Sequence, residues 1–485
     1  MINTGKTPKT KIVQEPAKEI NVHTESDVAV VGGGPAGVAA AIASARNGAE
    51  TVLIERYGHL GGMATGGLVI LIPHLSDGTN KPKIAGICQE IIDRLDELGA
   101  ALHPEYKDLG SSDEKLVRYW EDYLFYVISS KVRLSVLVDP EILKYVLNVM
   151  MEESGVKLFL HSWGTRALVN ENAIRGVVFE SKSGRQAVLS KVVIDSTGDG
   201  DIFASAGAPF DGKLDPKLRT ASLALIFRVG NVDTRRFTMF MKKENQKYAE
   251  MMYELESRGG FSLVLRSERE DVVWFNNYLP KWVPNYTDSF VTQTSARGFE
   301  KESLSALSFE DLTWVEVNAR KGMMITYEFF KKHVPGFENS YIINVASQVG
   351  TRGSRRLVGE YVVTEKDIRS GAVHDDTIAA CPPLNGNVSP EHPHMCIPYR
   401  SLLPQKVENL LVAGRCFSSD LVANDLLNII PPCIAMGQAA GTAAALAIKE
   451  GISPRQINYR SLQRNLIGQN VILPPAIIDD AQIEN

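Results

Sequence analysis

Cysteine and histidine are scarce in this chain, at five and nine in 485 residues. Cys88, Cys381, Cys396, Cys416 and Cys433 form no C-x-x-C pair, and none stands at zinc-finger spacing from a histidine. This argues against a disulfide framework, a structural metal and iron–sulfur ligation; buried, reduced thiols in a cytoplasmic protein are expected instead. A net charge of −5 lacks the basic excess that nucleic acid or an anionic membrane surface would require. No stretch reads as apolar for long enough to cross a bilayer. Residues 1–24 have neither the apolar core of a signal peptide nor a twin arginine, and read as a flexible tail. Internal repeats and low-complexity blocks are missing too.

What is present is an α/β rhythm. A strand at Asp27–Val31 runs into Gly32-Gly-Gly34-Pro35-Ala36-Gly37, then an alanine-rich helix closed by Gly48, then a second strand, Thr51–Glu55. Gly32-x-Gly34-x-x-Gly37 is weak by itself. With a strand before it, a helix after it and Glu55 about twenty residues on, it predicts a dinucleotide site. Gly32 permits the turn, Gly34 lets a pyrophosphate approach and Gly37 lets the helix pack on the sheet. The helix N-terminus offers amide donors to the phosphates. Glu55 would accept from ribose hydroxyls. Two features favour FAD over NAD. Leu60-Gly61-Gly62 follows Glu55-Arg56 closely, and Leu411-Val-Ala-Gly414-Arg415 leads into a late helix from Pro432, so the chain returns to one nucleotide.

The rest of the pattern gives a boundary scheme. Residues 25–209 form the first part of a Rossmann-type FAD-binding domain, with a mostly parallel sheet, a β-meander near 165–180 and a helical insertion at about 84–130. Asp139-Pro140-Glu141 starts a helix. Residues 210–340 lose the Rossmann rhythm and read as an inserted α+β substrate domain. Residues 341–470 return to the first domain, and 471–485 form a tail.

The chain resembles the FAD-dependent oxidoreductases of the glutathione-reductase-like superfamily, in the branch with Gly-Gly-Met-Ala-Thr after the ribose-binding acid. The matches are Asp27–Gly37, Glu55, Gly61-Gly62-Met63-Ala64-Thr65, Asp195-Ser-Thr197-Gly198-Asp199-Gly200 and Arg355–Glu360. They continue with Ile397–Pro404, Asn409–Arg415 and Met436–Thr442. The resemblance implies that Gly61–Thr65 passes near the pyrophosphate and flavin, and that Thr197-Gly198 lies by the phosphate or ribose. It also implies that Gly414-Arg415 and the following helix cover the flavin edge. Where the family often carries a histidine after Gly-Arg-Cys, this chain reads Phe417–Asp425.

A flavin dehydrogenase needs a base beside the reacting C–H bond. His392 and His394, on a loop before an apolar strand, are candidates, with Arg352 holding the substrate. Arg355 and Arg356 read as ion-pair partners. Asp420, Asn424, Asp425 and Asn428 form a polar run for the flavin, the substrate or a helix cap. His74, in an apolar stretch, reads as a core residue or a cap. Without a second nucleotide motif or a C-x-x-C pair, a disulfide-reductase mechanism is not expected. The expected activity is oxidation of a small polar substrate by hydride transfer to flavin N5, with an unidentified electron acceptor and a homo-oligomer left open. The alternatives are reduction of an activated C=C bond and a non-catalytic FAD electron-transfer subunit.

Overall fold

The structure, a computed structural model, describes residues 12–17, 19–277, 279, 304–382 and 394–483. The chain enters through β1 (Asn21–Val31), α1 (Pro35–Arg46) and β2 (Thr51–Ile54). Next come α2 (Ile87–Glu97), α3 (Glu114–Trp120), α4 (Pro140–Glu153) and β3 (Lys157–Phe159). The meander is β4 (Trp163–Asn170), β5 (Ala173–Ser181) and β6 (Gly184–Asp195), followed by α5 (Asp201–Ser205). Residues 210–345 supply β7 (Phe227–Gly230), α6 (Thr234–Lys243), α7 (Asn245–Ser257), β8 (Leu263–Arg266), β9 (Val273–Asn276), α8 (Phe309–His333) and β10 (Tyr341–Val345). The chain closes with β11 (Thr377–Cys381), β12 (Met395–Pro398), β13 (Leu410–Val412), α9 (Leu421–Leu427), α10 (Ile430–Glu450), α11 (Tyr459–Gly468) and α12 (Pro475–Ile483).

Strands β3, β2, β1 and β6 lie side by side and parallel, and β13 extends the parallel set beside the end of β6. The first part of β6 turns into the antiparallel meander with β5 and β4. An apolar run suits a strand covered on both faces. Val28 and Val30 pack with α1 and α10, while Ala29 and Val31 pack with Phe179 and Phe203 on the opposite face. Helices α1 and α10 touch backbone to backbone. A Cβ at Gly437 would stand 2.0 Å from the Ala36 carbonyl oxygen, and one at Gly441 2.1 Å from that of Ala40. Only glycine permits that approach. Residues 210–345 build a separate antiparallel sheet, ordered β8-β9-β7-β10. One face carries stacked Phe227 and Phe275, 4.7 Å apart, with Phe330 of α8 edge-on to Phe275 at 4.9 Å.

Several boundaries differ from the sequence expectations. β1 reaches back to Asn21 because Asn21–Ser26 pair with Gln186–Ser190 of β6, so residues 21–24 are not tail. The 84–130 stretch is helical only in α2 and α3; Gly99 and Gly110, at φ 64° and 76°, turn the chain between them. Within the 210–345 segment the chain breaks at Glu244 between α6 and α7. β10 belongs to the 210–345 sheet, which moves that boundary from 340 to 345. Residues 475–483 are helical, anchored by buried Ile477. Finally, α10 does have the length and apolar composition to cross a bilayer, but 94% of its apolar window is packed inside the protein.

Candidate functional site

The glycine loop and the inward face of the 210–345 sheet open onto one cavity. Its outer end is set by β1, α1 and β2. The backbone at Gly34 is an extended N-cap of α1 (φ −70°, ψ −176°), and an added Cβ there would meet nothing within 4 Å. Glycine is therefore not required at this position by the protein's own packing. The open space in front of a helix N-terminus is what an anionic phosphate would fill. Gly37 differs: its Cβ would lie 1.7 Å from the Gly32 carbonyl oxygen. The Glu55 carboxylate is buried and fixed by two backbone donors, Gly33 N–H at 2.6 Å and Tyr57 N–H at 2.7 Å. Both carboxylate oxygens retain lone pairs for further donors.

Of the residues expected around a nucleotide, Gly32, Gly34, Pro35, Ala36, Glu55, Arg56, Gly62, Met63, Thr197, Gly198, Gly414, Arg415 and Asn428 line this cavity. Gly37, Gly61, Ala64, Thr65 and Asp199 lie behind the lining. Gly61 donates its N–H to the Gly33 carbonyl at 2.8 Å, tying the second loop to the first. Thr65 Oγ1 donates to the Leu60 carbonyl, and Ala64 is in the core. Asp199 holds Arg415 in place through a 2.7 Å ion pair and accepts from Ser354 Oγ. The Arg415 guanidinium beside it keeps the Asp199 carboxyl below the usual range despite burial, which acts in the opposite direction. Arg415 Nε and Asn428 Oδ1 are buried without partners, and both residues line the cavity. A loop without Cβ atoms, oriented amides and unmatched polar atoms fit a dinucleotide.

The inner end is built by 210–345 and by the chain from Val69 to Phe125. Strand alternation puts Leu263 and Leu265 of β8, and Trp274 and Asn276 of β9, on one face, paired across the strands. These four and Ile226 line the cavity, opposite the phenylalanine core. Arg352 also lines it. Its carbonyl accepts from Asn428 Nδ2 at 3.1 Å, which joins the two ends of the site.

Of the two loop histidines, only His394 falls among the described residues; His392 lies outside them. His394 and Met395–Arg400 do not line the cavity: β12 pairs with β11, and this hairpin packs beside α10. Arg400 is pinned to Asp376 through its backbone N–H, Nε and Nη2. Asp420 caps α9, and Asp425 is paired with Arg219 at 3.1 Å. Arg355 and Arg356 pair with Asp201 and Asp211, while Glu360 is taken by Arg455.

Sequence reasoning missed His74, Arg219, Trp274, Asn276 and Gln348, all of which line the inner end. His74 was read as core, and it is only 4% exposed, yet its ring faces the cavity against Phe125. Its backbone is left-handed, at φ 60°, an uncommon conformation outside glycine. Burial, then the cations Arg133 and Arg219, hold its imidazole well below its usual pKa. His74 Nδ1, Asn276 Oδ1 and Gln348 Nε2 are buried without hydrogen-bond partners. The available signal was the polar Asn276 ending an apolar strand in alternation with Trp274.

The sequence pattern of a family described as FAD dependent oxidoreductase matches residues 27–466. Thiamine thiazole synthase of Pyrococcus horikoshii is 27% identical over 197 residues, which cover 39% of this chain and 64% of that protein. The Pyrococcus abyssi thiamine thiazole synthase is 25% identical over an equal span. The matched region is thus under two thirds of these relatives' length. Among solved structures, a geranylgeranyl bacteriochlorophyll reductase-like protein of Thermoplasma acidophilum aligns with 93% of this chain and 84% of its own. Its identity is 13% and its TM-score 0.43. The p-nitrophenol 4-monooxygenase of Pseudomonas putida aligns with 94% and 92%, at 11% identity and TM-score 0.44.

Proposed function

Because this chain belongs to the FAD dependent oxidoreductase family, with FAD as its cofactor, we propose that it oxidises a small organic substrate held against the inward face of the 210–345 sheet. The supporting observation is the single cavity that begins at the Gly34 loop and ends at Trp274 and Asn276. When bound, FAD supplies a two-electron acceptor at flavin N5. The roles of the protein's own residues follow from their positions. The α1 N-terminus and the open space at Gly34 take the pyrophosphate, and Glu55 takes ribose hydroxyls. Asn428 and Arg415, with their unmatched atoms, face the cofactor beside the α10 N-terminus. Residues 210–345 act as the substrate domain. Their apolar wall excludes water, and the unpartnered polar atoms on it orient the substrate. Arg352 bridges the cofactor and substrate ends. His74, uncharged and without a partner at Nδ1, is the cavity-lining group proposed to accept a substrate proton.

The test is anaerobic bleaching of the flavin's visible absorption by a panel of reduced metabolites. A bleaching donor is expected. Leu263→Trp, which fills the inner end from a half-buried position, should slow bleaching at least about 10²-fold by displacing the substrate from its reactive geometry. FAD content should not change. Wild-type bleaching rates in Leu263→Trp would overturn the placement of the substrate.

A further inference from the structure

Strand β9 ends at Asn276, and Asn277 follows at once. Strand alternation sends the two side chains to opposite faces of the sheet. Asn277 is taken up by the fold. Its Oδ1 accepts from the Leu225 N–H at 2.7 Å, and its Nδ2 donates to the Leu225 carbonyl at 3.0 Å. This clamps the end of β9 to the chain entering β7. Asn276 has no such bond. It lines the cavity at 5% exposure, and its Oδ1 is buried without a partner. The rest of β9, Val273, Trp274 and Phe275, is apolar. Asparagine is disfavoured in strands, and an unpaired buried acceptor is costly unless a ligand meets it.

Strand register fixes what surrounds Asn276. Leu263 of β8 pairs directly with it, and Leu265 pairs with Trp274. Side chains paired on one face stand about 5 Å apart, and positions two residues apart on a strand about 7 Å. Trp274 Nε1 donates to the Arg266 carbonyl at 3.1 Å, which holds the indole in place as part of the wall. Asn276 Oδ1 is therefore an acceptor at one end of an apolar face whose span matches a six-membered ring with one substituent.

We propose that this face selects a substrate with an N–H or O–H donor on an apolar, ring-sized body, the donor meeting Asn276 Oδ1 and the ring lying on Leu265 and Trp274. The proposal rests on the reading of this face as the substrate wall, and it adds the substrate's chemical class. A site built to take a donor rejects the analogue that lacks it, because the acceptor is then left buried and unpaired. Amines and alcohols meet the requirement, and their N–H or O–H adjoins the C–H bond from which a hydride leaves.

The test uses three probes of similar size, all neutral at mildly alkaline pH, on the FAD-loaded protein. Aniline donates, benzonitrile only accepts, and toluene does neither. Binding is read from the flavin difference spectrum and by calorimetry. Asn276→Leu and Asn276→Val both remove the acceptor; the second is the smaller and favours a strand, and FAD content reports that each is folded. Each should weaken aniline about tenfold, the worth of a hydrogen bond, without weakening toluene comparably. Aniline indifferent to both substitutions, aniline failing to bind where toluene binds, or benzonitrile losing as much as aniline would each overturn the proposal. Leu263→Trp separates this failure from failure of the underlying reading. If it expels toluene, the wall stands and the donor preference alone is lost. If it leaves every bound probe in place, or if no probe binds the wild type, the wall itself is misassigned and the proposal falls with it.

Discussion

The Gly34→Asp substitution should separate the fold from its cofactor. Gly34 has an extended backbone that any residue adopts, and its Cβ direction is open to 4 Å. It is the N-cap of α1, with no side-chain hydrogen bond to the first turn. Aspartate is among the best N-cap residues, so the apoprotein should gain up to about 1 kcal/mol. The same carboxylate would occupy the space offered to a pyrophosphate. Two unit charges about 4 Å apart at an effective dielectric near 20 repel by about 4 kcal/mol, roughly a thousandfold in Kd. Thermal denaturation with and without FAD reads both effects. The wild type should gain about 4 kcal/mol at FAD a thousandfold above its Kd. The variant should show an apo Tm at or above wild type and a gain from the same FAD of only about 0.4 kcal/mol. Gly37→Ala is the contrast: its Cβ would lie 1.7 Å from a carbonyl oxygen, so it should lower the apo Tm itself. Normal FAD loading in Gly34→Asp, or collapse of its apo fold, would refute the reasoning.

Three further outcomes are expected. Asp199→Ala leaves the buried Arg415 without its 2.7 Å partner and should cost about 3–5 kcal/mol in chemical denaturation, where a cost under about 1 kcal/mol would show that Arg415 relaxes to water. Glu55→Ala removes the acceptor of two loop amides and should weaken FAD binding about 10–100-fold by fluorescence titration. His74 is uncharged in the fold, while the unfolded chain protonates near a pKa of about 6.5. The unfolded state therefore binds more protons below that pH, and stability should be level above it and fall as pH drops through it. The Tm-against-pH curve should flatten there in His74→Gln, and an unchanged curve would remove His74 as the cause.

The nucleotide half was legible because its chemistry is written at fixed short spacings. Gly32, Gly34 and Gly37 sit at a strand–helix junction, and Asp139-Pro140 begins α4 with the Asp139 carboxylate accepting from Glu141 and Ile142. The tight α1–α10 contact was visible as the run of small residues between Cys433 and Ile448. The inner end was not legible in this way. His74, Gln348, Asn276 and Arg352 are far apart in sequence and meet only after β7, β8 and β9 have formed a sheet over the Rossmann core. A histidine in an apolar stretch looks like packing until the space beside its ring is known. Of the two loop histidines, His394 does not line the cavity, because the strand that follows it, β12, is held by β11, and Arg400 just beyond that strand is held by Asp376. Paired carboxylates explain the rest: Asp420 and Asp425, polar and close to the flavin-side segment, are already used as a helix cap and as the Arg219 partner.

The most direct test of the account is an experimental structure of the FAD-loaded protein. The pyrophosphate is expected beside Gly34 at the α1 N-terminus, with the isoalloxazine at the inner end, facing Trp274 and Asn276 across a space lined by Leu265 and Arg352. An isoalloxazine lying away from that wall, with the inner end closed off by protein, would contradict the claim that cofactor and substrate share one cavity.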